Sequence, residues 1–174
     1  MTTANIPWKG RQYINGGWRD ARGEPFANHN PARFDEVLGQ YPRGTSGDVD
    51  EAVAAARRAF PDWRRTSRIR RGEYFDRLAA LIHQHTDELA AIVARECGKV
   101  LDEARAEVIE GLHMVQYVFG TSRQPFGQVV GSEIAAKDAF ERRKPRGVVA
   151  VITPGNFPLP LPPWNHGPRL MEGN

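Results

Sequence analysis

The stretch from Val148 to Pro158, "VVAVITPGNFP", decides how this chain is read. Val148–Ile152 is an uninterrupted apolar run rich in β-branched residues, the pattern of a strand buried on both faces. Just past its carboxyl end, Pro154 and Pro158 stiffen a turn in which Gly155 adds freedom. In open α/β sheets, that edge is where ligands bind. Asn156 sits inside this frame. A fixed side-chain amide can donate a hydrogen bond to a developing oxyanion, worth ~2.7–4 kcal/mol. Asparagine is also an ordinary turn residue that tolerates unusual backbone angles. The pattern by itself leaves both readings open. From Leu159 onward a further helix is predicted, its start made irregular by Pro160, Pro162 and Pro163, with Pro168 further along.

Working back from that stretch, "QPFGQVVGSEI" and "DAFERRKPRG" read as two extended segments around a polar joint. Before them the apolar period is helical. Thr45 and Asp48 have capping-box spacing, and Val49, Val53, Ala56 and Phe60 follow at helical intervals until Pro61 and Trp63 end the helix. A second helix is predicted over 67–85, with Ile69, Leu78, Leu81 and Ile82 inward. Thr86 caps a third, which has Asp87 and Glu88 in its first turn and Gly98 as its stop. Leu89, Ile92 and Val93 face its core. A fourth runs over about 101–120, burying Ala104, Val108, Leu112, Val115 and Phe119. Earlier still, "HNPARFDEVLGQYP" reads as short extended pieces. "YINGGWRD" reads as strand, turn, strand, with Asn15-Gly16 supplying the positive φ. Residues 1–11 read as a loose arm.

The 174 residues are 40% hydrophobic and 26% charged, an ordinary globular balance rather than a disordered one. A net charge of +3 is too small to argue for a polyanionic partner. The arginine cluster "WRRTSRIRR" comes without a stacking or nucleic-acid motif. It is read as a solvated helix start pairing with nearby acids, not as a nucleic-acid surface. No run has the ~18 apolar residues of a membrane span. The single cysteine, Cys97, excludes an intrachain disulfide, and a cytoplasmic protein is expected. Cys97 falls near a helix C-terminus, the wrong end of the dipole for a reactive thiolate, so a structural role is expected. His83 and His85 point to different sides of a helix and find no third ligand at a recognisable spacing, so no metal site is expected. Neither a glycine-rich phosphate loop nor a defensible Ser-His-Asp arrangement is present.

Four stretches, in this order and spacing, resemble the aldehyde dehydrogenase superfamily: "YINGGW", "NPARFDEVLGQYPRGTSGDVDEAVAAARRAFPDW", "ECGKVLDEARAEV" and "PRGVVAVITPGNFPLPLPPWNHGPRLMEGN". The resemblance runs from about Tyr13 to the last residue. It implies an α/β fold: the N-terminal part of the aldehyde dehydrogenase fold, helices plus the start of a Rossmann-like parallel sheet, with a β-arm. Residues 1–120 would be strands and helices of the cofactor-binding domain, 121–145 the oligomerisation β-arm, and 146–174 the first strand and helix of the Rossmann-like core. It also implies oxidation of an aldehyde to a carboxylic acid with NAD or NADP. A cysteine thiolate would attack, an asparagine amide would hold the oxyanion, and a glutamate would activate water. By match to the family's Pro-Trp-Asn-Phe-Pro signature, Asn156 is the oxyanion asparagine, and Ile152, Thr153 and Pro154 line the dinucleotide.

Gly155 departs from the signature's tryptophan. The catalytic cysteine and glutamate have no counterparts here, so the chain is expected to be incomplete and inactive alone. Apolar faces meant for the absent sheet are expected to drive association. The chain would form a homo-oligomer, or serve as a non-catalytic module associating with a full-length relative.

Overall fold

The computed structural model of the chain describes residues 8–174. The arm expected over 1–11 lies outside the described residues as far as residue 7; Trp8–Lys9 then form a short strand, β1. Strands β2 (Gln12–Ile14) and β3 (Gly17–Arg19) pair antiparallel. Asn15 and Gly16 join them at φ of 55° and 77°, the two left-handed residues that a two-residue hairpin requires. Strands β4 (Pro25–Asn30) and β5 (Arg33–Pro42) form a second hairpin. β1 adds parallel to the far side of β5, giving the order β1-β5-β4. The short pieces expected here are thus two paired strands. The Asn30 side chain accepts the Ala32 N–H at 2.9 Å and turns the chain around Pro31.

Helix α1 (Ser46–Arg65) opens with the predicted capping box: Thr45 Oγ1 accepts the Asp48 N–H, and the Asp48 carboxylate accepts the Thr45 N–H at 2.8 Å. Pro61 does not end it. The last turn is held from outside, because Arg71 donates to the carbonyls of Trp63 and Thr66. Val49 is exposed, and Ala56 and Phe60 line a groove instead of a closed core.

Helix α2 (Arg68–Gln84) starts at Ser67, whose hydroxyl accepts the Arg70 N–H at 3.2 Å. Its buried face is Gly72, Phe75, Ala79 and Ile82, while Ile69, Leu78 and Leu81 are exposed. Gly72 sets this face: a Cβ there would lie 2.6 Å from Ser122 Cβ, so α2 is aimed by its close approach to the end of helix α4 (Leu101–Thr121). Helix α3 (Thr86–Cys97) follows α2 after His85 alone. Thr86 therefore does not cap it. Its hydroxyl donates back to the carbonyls of Ile82 and His83. Gly98 ends α3 in the left-handed region, as predicted.

The core lies between α2, α3 and α4. Ala104, Val108 and Val115 of α4 are fully enclosed, Leu112 is buried beside them, and Phe119 packs partly against the cluster. The last helix, α5 (Leu161–Met171), closes the cluster with Met171.

Two-residue strands β6 (Val129–Val130) and β7 (Ala139–Phe140) pair antiparallel as an exposed hairpin. Val148–Ile152 forms no strand and is not buried; Ile152 is 95% exposed. A strand buried on both faces needs neighbours on both edges, and among the described residues none pairs with this run. Val148, Val149 and Val151 instead lie along α1 and α5. There they line an apolar groove of about 480 Å³ with Phe60, Trp63 and Leu170. Among the described residues, no helix is long and apolar enough to cross a membrane.

Candidate functional site

The turn that follows Val148–Ile152 is held from behind by the junction between α3 and α4. Gly98 has φ 68°, and a Cβ on it would sit 3.0 Å from Pro31 Cγ. That left-handed turn places Cys97 and Lys99 against the same loop. The Cys97 thiol donates to the Gly155 carbonyl at 3.5 Å. Lys99 Nζ donates to the Asn156 carbonyl at 2.7 Å and to one oxygen of Glu107 at 2.5 Å. The other Glu107 oxygen accepts the Leu159 N–H at 3.4 Å. Glu107 is 3% exposed and sits on the inward face of α4 between Ala104 and Gly111. A Cβ at Gly111 would meet Leu159 Cδ2 at 2.3 Å, so loop and helix touch as they do because that position has no side chain. Lys99 Nζ also stands 5.0 Å from the centroid of the Phe157 ring, which packs on Trp164.

These bonds fall on the backbone of Gly155, Asn156 and Leu159. The Asn156 side chain is exposed and takes no partner among the described residues. Nor does Asn156 need a left-handed backbone, since Asn15 is the one non-glycine residue described with positive φ. The turn is tied from behind by these bonds and presents an unpartnered amide in front. Ile152 and Pro154 are exposed beside it and Thr153 is half-buried, so the four residues singled out in sequence form one short outward-facing strip.

Cys97 is half-buried, and burial pushes its thiol up from the ordinary value, opposed by the neighbouring Lys99. A raised, carbonyl-bonded thiol suits packing, not nucleophilic attack. Sequence reasoning passed over Lys99 and Glu107 as site residues. The signal for Glu107 was a carboxylate at a position whose helical neighbours, Ala104, Val108 and Gly111, all face the core.

The arginine cluster divides. Arg65 and Arg70 pair with Asp62 and Glu73 on the surface, as expected. Arg68 and Arg71 instead turn inward: Arg68 bonds Glu172 at 2.7 Å, and Arg71, 6% exposed, donates to the Met171 carbonyl at 2.9 Å. His85 bonds Glu88, and no metal-holding group of three or more His, Cys, Asp or Glu occurs among the described residues.

Residues 18–174 match the aldehyde dehydrogenase family. The chain belongs to that family. The chain is 38% identical over 165 residues to the α-ketoglutaric semialdehyde dehydrogenase of Bacillus subtilis (strain 168), covering 93% of itself and 33% of that protein. It superimposes on the NAD-dependent aldehyde dehydrogenase from Sinorhizobium meliloti with a TM-score of 0.90 at 31% identity, covering 97% of itself and 34% of that chain. An NADP-dependent enzyme of E. coli gives a TM-score of 0.89 at 32% identity, with coverages of 95% and 34%. The mixed α/β architecture is therefore that of aldehyde dehydrogenases, and the chain spans about a third of the length of the relatives it matches.

Proposed function

We propose that this chain is the N-terminal portion of an NAD(P)-dependent aldehyde dehydrogenase that oxidises an aldehyde to a carboxylic acid, with Asn156 as the oxyanion donor. The observation that carries the reading is the Asn156 amide: unpartnered, exposed, and set on a turn braced at three backbone points. Addition of a nucleophile to an aldehyde carbon puts negative charge on the carbonyl oxygen. A donor whose backbone is already fixed meets that charge without reorganising. Asn156 thus orients the aldehyde and holds the oxyanion. The nicotinamide cofactor, when bound, accepts the hydride. Ile152, Thr153 and Pro154 suit a flat heterocycle: an exposed apolar side chain stands beside backbone that no strand engages among the described residues. Cys97 supplies no nucleophile, and the attacking cysteine and water-activating glutamate are expected from sequence beyond these 174 residues. The chain alone is catalytically incomplete.

The test joins these residues to the remaining two thirds of the Bacillus subtilis relative and follows aldehyde-dependent NADH and NADPH formation. The joined protein is expected to turn over, the 174-residue chain alone is not, and Asn156→Ala in the joined protein should lower kcat by roughly 10²–10³-fold. An Asn156→Ala protein with unchanged kcat would remove Asn156 from the mechanism.

The β6–β7 hairpin favours a second reading, association with a second copy or with a full-length relative. Val129 is 87% and Phe140 71% exposed on a hairpin too short to bury them itself. Light scattering of the purified chain should give a mass above 19.5 kDa that falls toward it in Val129→Asp/Phe140→Asp. A monomer before and after substitution would dismiss association through this hairpin.

A further inference from the structure

We infer that Lys99 and Glu107 are positioning residues for Asn156, an inference that rests on the oxyanion role proposed above. The ammonium of Lys99 touches two groups, the Asn156 carbonyl at 2.7 Å and the Glu107 carboxylate at 2.5 Å. Glu107 touches the same turn again through the Leu159 N–H at 3.4 Å. One ion pair therefore grips the loop on both sides of Phe157 and Pro158. Its carboxylate end is fixed in the core, with the side chain 2% exposed on a helix that the core encloses. The ammonium end is 23% exposed and reaches out to the site. Lys99 supplies three donors from one point charge, which lets it serve carbonyl and carboxylate together.

The Asn156 carbonyl belongs to the peptide that leads to Phe157. Holding that oxygen fixes the plane of the peptide and the position of the Asn156 Cα within it, and so narrows the backbone angles from which the Asn156 side chain projects. Neither residue touches the reacting atoms; both act through Asn156. The function of the pair is to transfer the rigidity of α4 to a turn that has no strand beside it among the described residues.

The test uses the full 174-residue chain with ¹³C and ¹⁵N labels and reads three signals: the Asn156 carbonyl shift, the backbone couplings that report φ and ψ of Asn156, and exchange of the Leu159 amide. Lys99→Met alone strands a buried carboxylate and threatens the fold. The decisive variant is therefore Lys99→Met/Glu107→Leu, which removes both charges and leaves an apolar pair, with melting followed in parallel. While this variant still melts cooperatively, the Asn156 carbonyl resonance is expected to move upfield and the backbone couplings of Asn156 to average. Leu159 exchange should rise about tenfold, the factor that loss of a charged hydrogen bond supplies. Lys99→Arg, which keeps the charge, should keep the backbone couplings in part. A folded double variant whose Asn156 signals match the parent would overturn the inference, as would a chain in which Asn156 already averages. If instead the clamp signals respond as expected while Asn156→Ala leaves turnover of the joined protein untouched, the oxyanion reading fails and the clamp stands as a feature of the turn.

Discussion

At the residue scale, Gly155 separates what the turn needs from what the family signature usually carries. Glycine is required where φ is positive or a neighbour crowds Cα, as at Gly98 and Gly111. Gly155 meets neither condition. It is absent from the positive-φ residues, and a Cβ built on it finds no atom within 4 Å. The turn would accept a Cβ at this position, so glycine here removes side-chain surface without shaping the loop. Gly155→Ala should raise stability by ~0.4–1 kcal/mol through the unfolded chain. That corresponds to an increase in Tm of roughly 1–4 °C by calorimetry; a fall would mean that the backbone at 155 is under constraint after all. Asn156 itself was legible in sequence as a candidate because two prolines frame it. What holds it was not legible, because Lys99 and Glu107 reach the turn from 57 and 52 residues away.

At the scale of elements, the readable features were those settled within a few residues. The Asn15-Gly16 hairpin, the Thr45–Asp48 box and the Gly98 stop each depend on local backbone angles and one or two hydrogen bonds. On α2, Ile82 is buried as expected, but Ile69, Leu78 and Leu81 are not, because the inward face is chosen by Gly72 meeting Ser122, fifty residues later. The capping box also makes a pH prediction. Asp48 is held below the ordinary carboxylate range, chiefly by the Thr45 N–H and then by the Thr45 hydroxyl. The unfolded chain therefore binds this proton more readily than the folded one. The stabilisation is complete above the unfolded value of ~3.9 and is lost as pH falls through the lower folded value. Asp48→Asn should accordingly melt below the parent at pH 7, with the gap closing as pH drops under about 4. A gap that stays constant down to strongly acid pH would assign the loss to packing, not to the carboxylate.

At the scale of the whole molecule, the sequence reading went furthest wrong where an element's identity depends on partners. Val148–Ile152 has strand composition, yet no strand forms without a neighbouring edge, and the valines settle on α1 and α5 instead. What ties that terminal segment to the helical core is buried charge that the sequence presents as surface charge. The Arg71 guanidinium lies where three elements meet, donating to the Met171 carbonyl at 2.9 Å, to Trp63 at 3.2 Å and to Thr66. Those carbonyls end α5 and α1, the places where helices leave acceptors without intrahelical donors. Arg68 repeats the connection through Glu172. The end of α1, the start of α2 and the end of α5 are therefore stabilised together. Arg71→Met keeps most of the volume and removes three hydrogen bonds, leaving the Met171 and Thr66 carbonyls without this donor while Trp63 keeps the Thr66 N–H, at a cost on the order of 3 kcal/mol. A drop in Tm of roughly 6–12 °C should follow. Arg71→Lys should recover less than half, because an ammonium cannot span acceptors arranged around a planar fork. Hydrogen exchange distinguishes this coupling from general weakening. In Arg71→Met, amides of α5 and of the last turn of α1 should lose protection together, ahead of those in α4. Loss of protection spread evenly over all helices would mean that Arg71 contributes to overall stability without tying the terminal helix to the bundle.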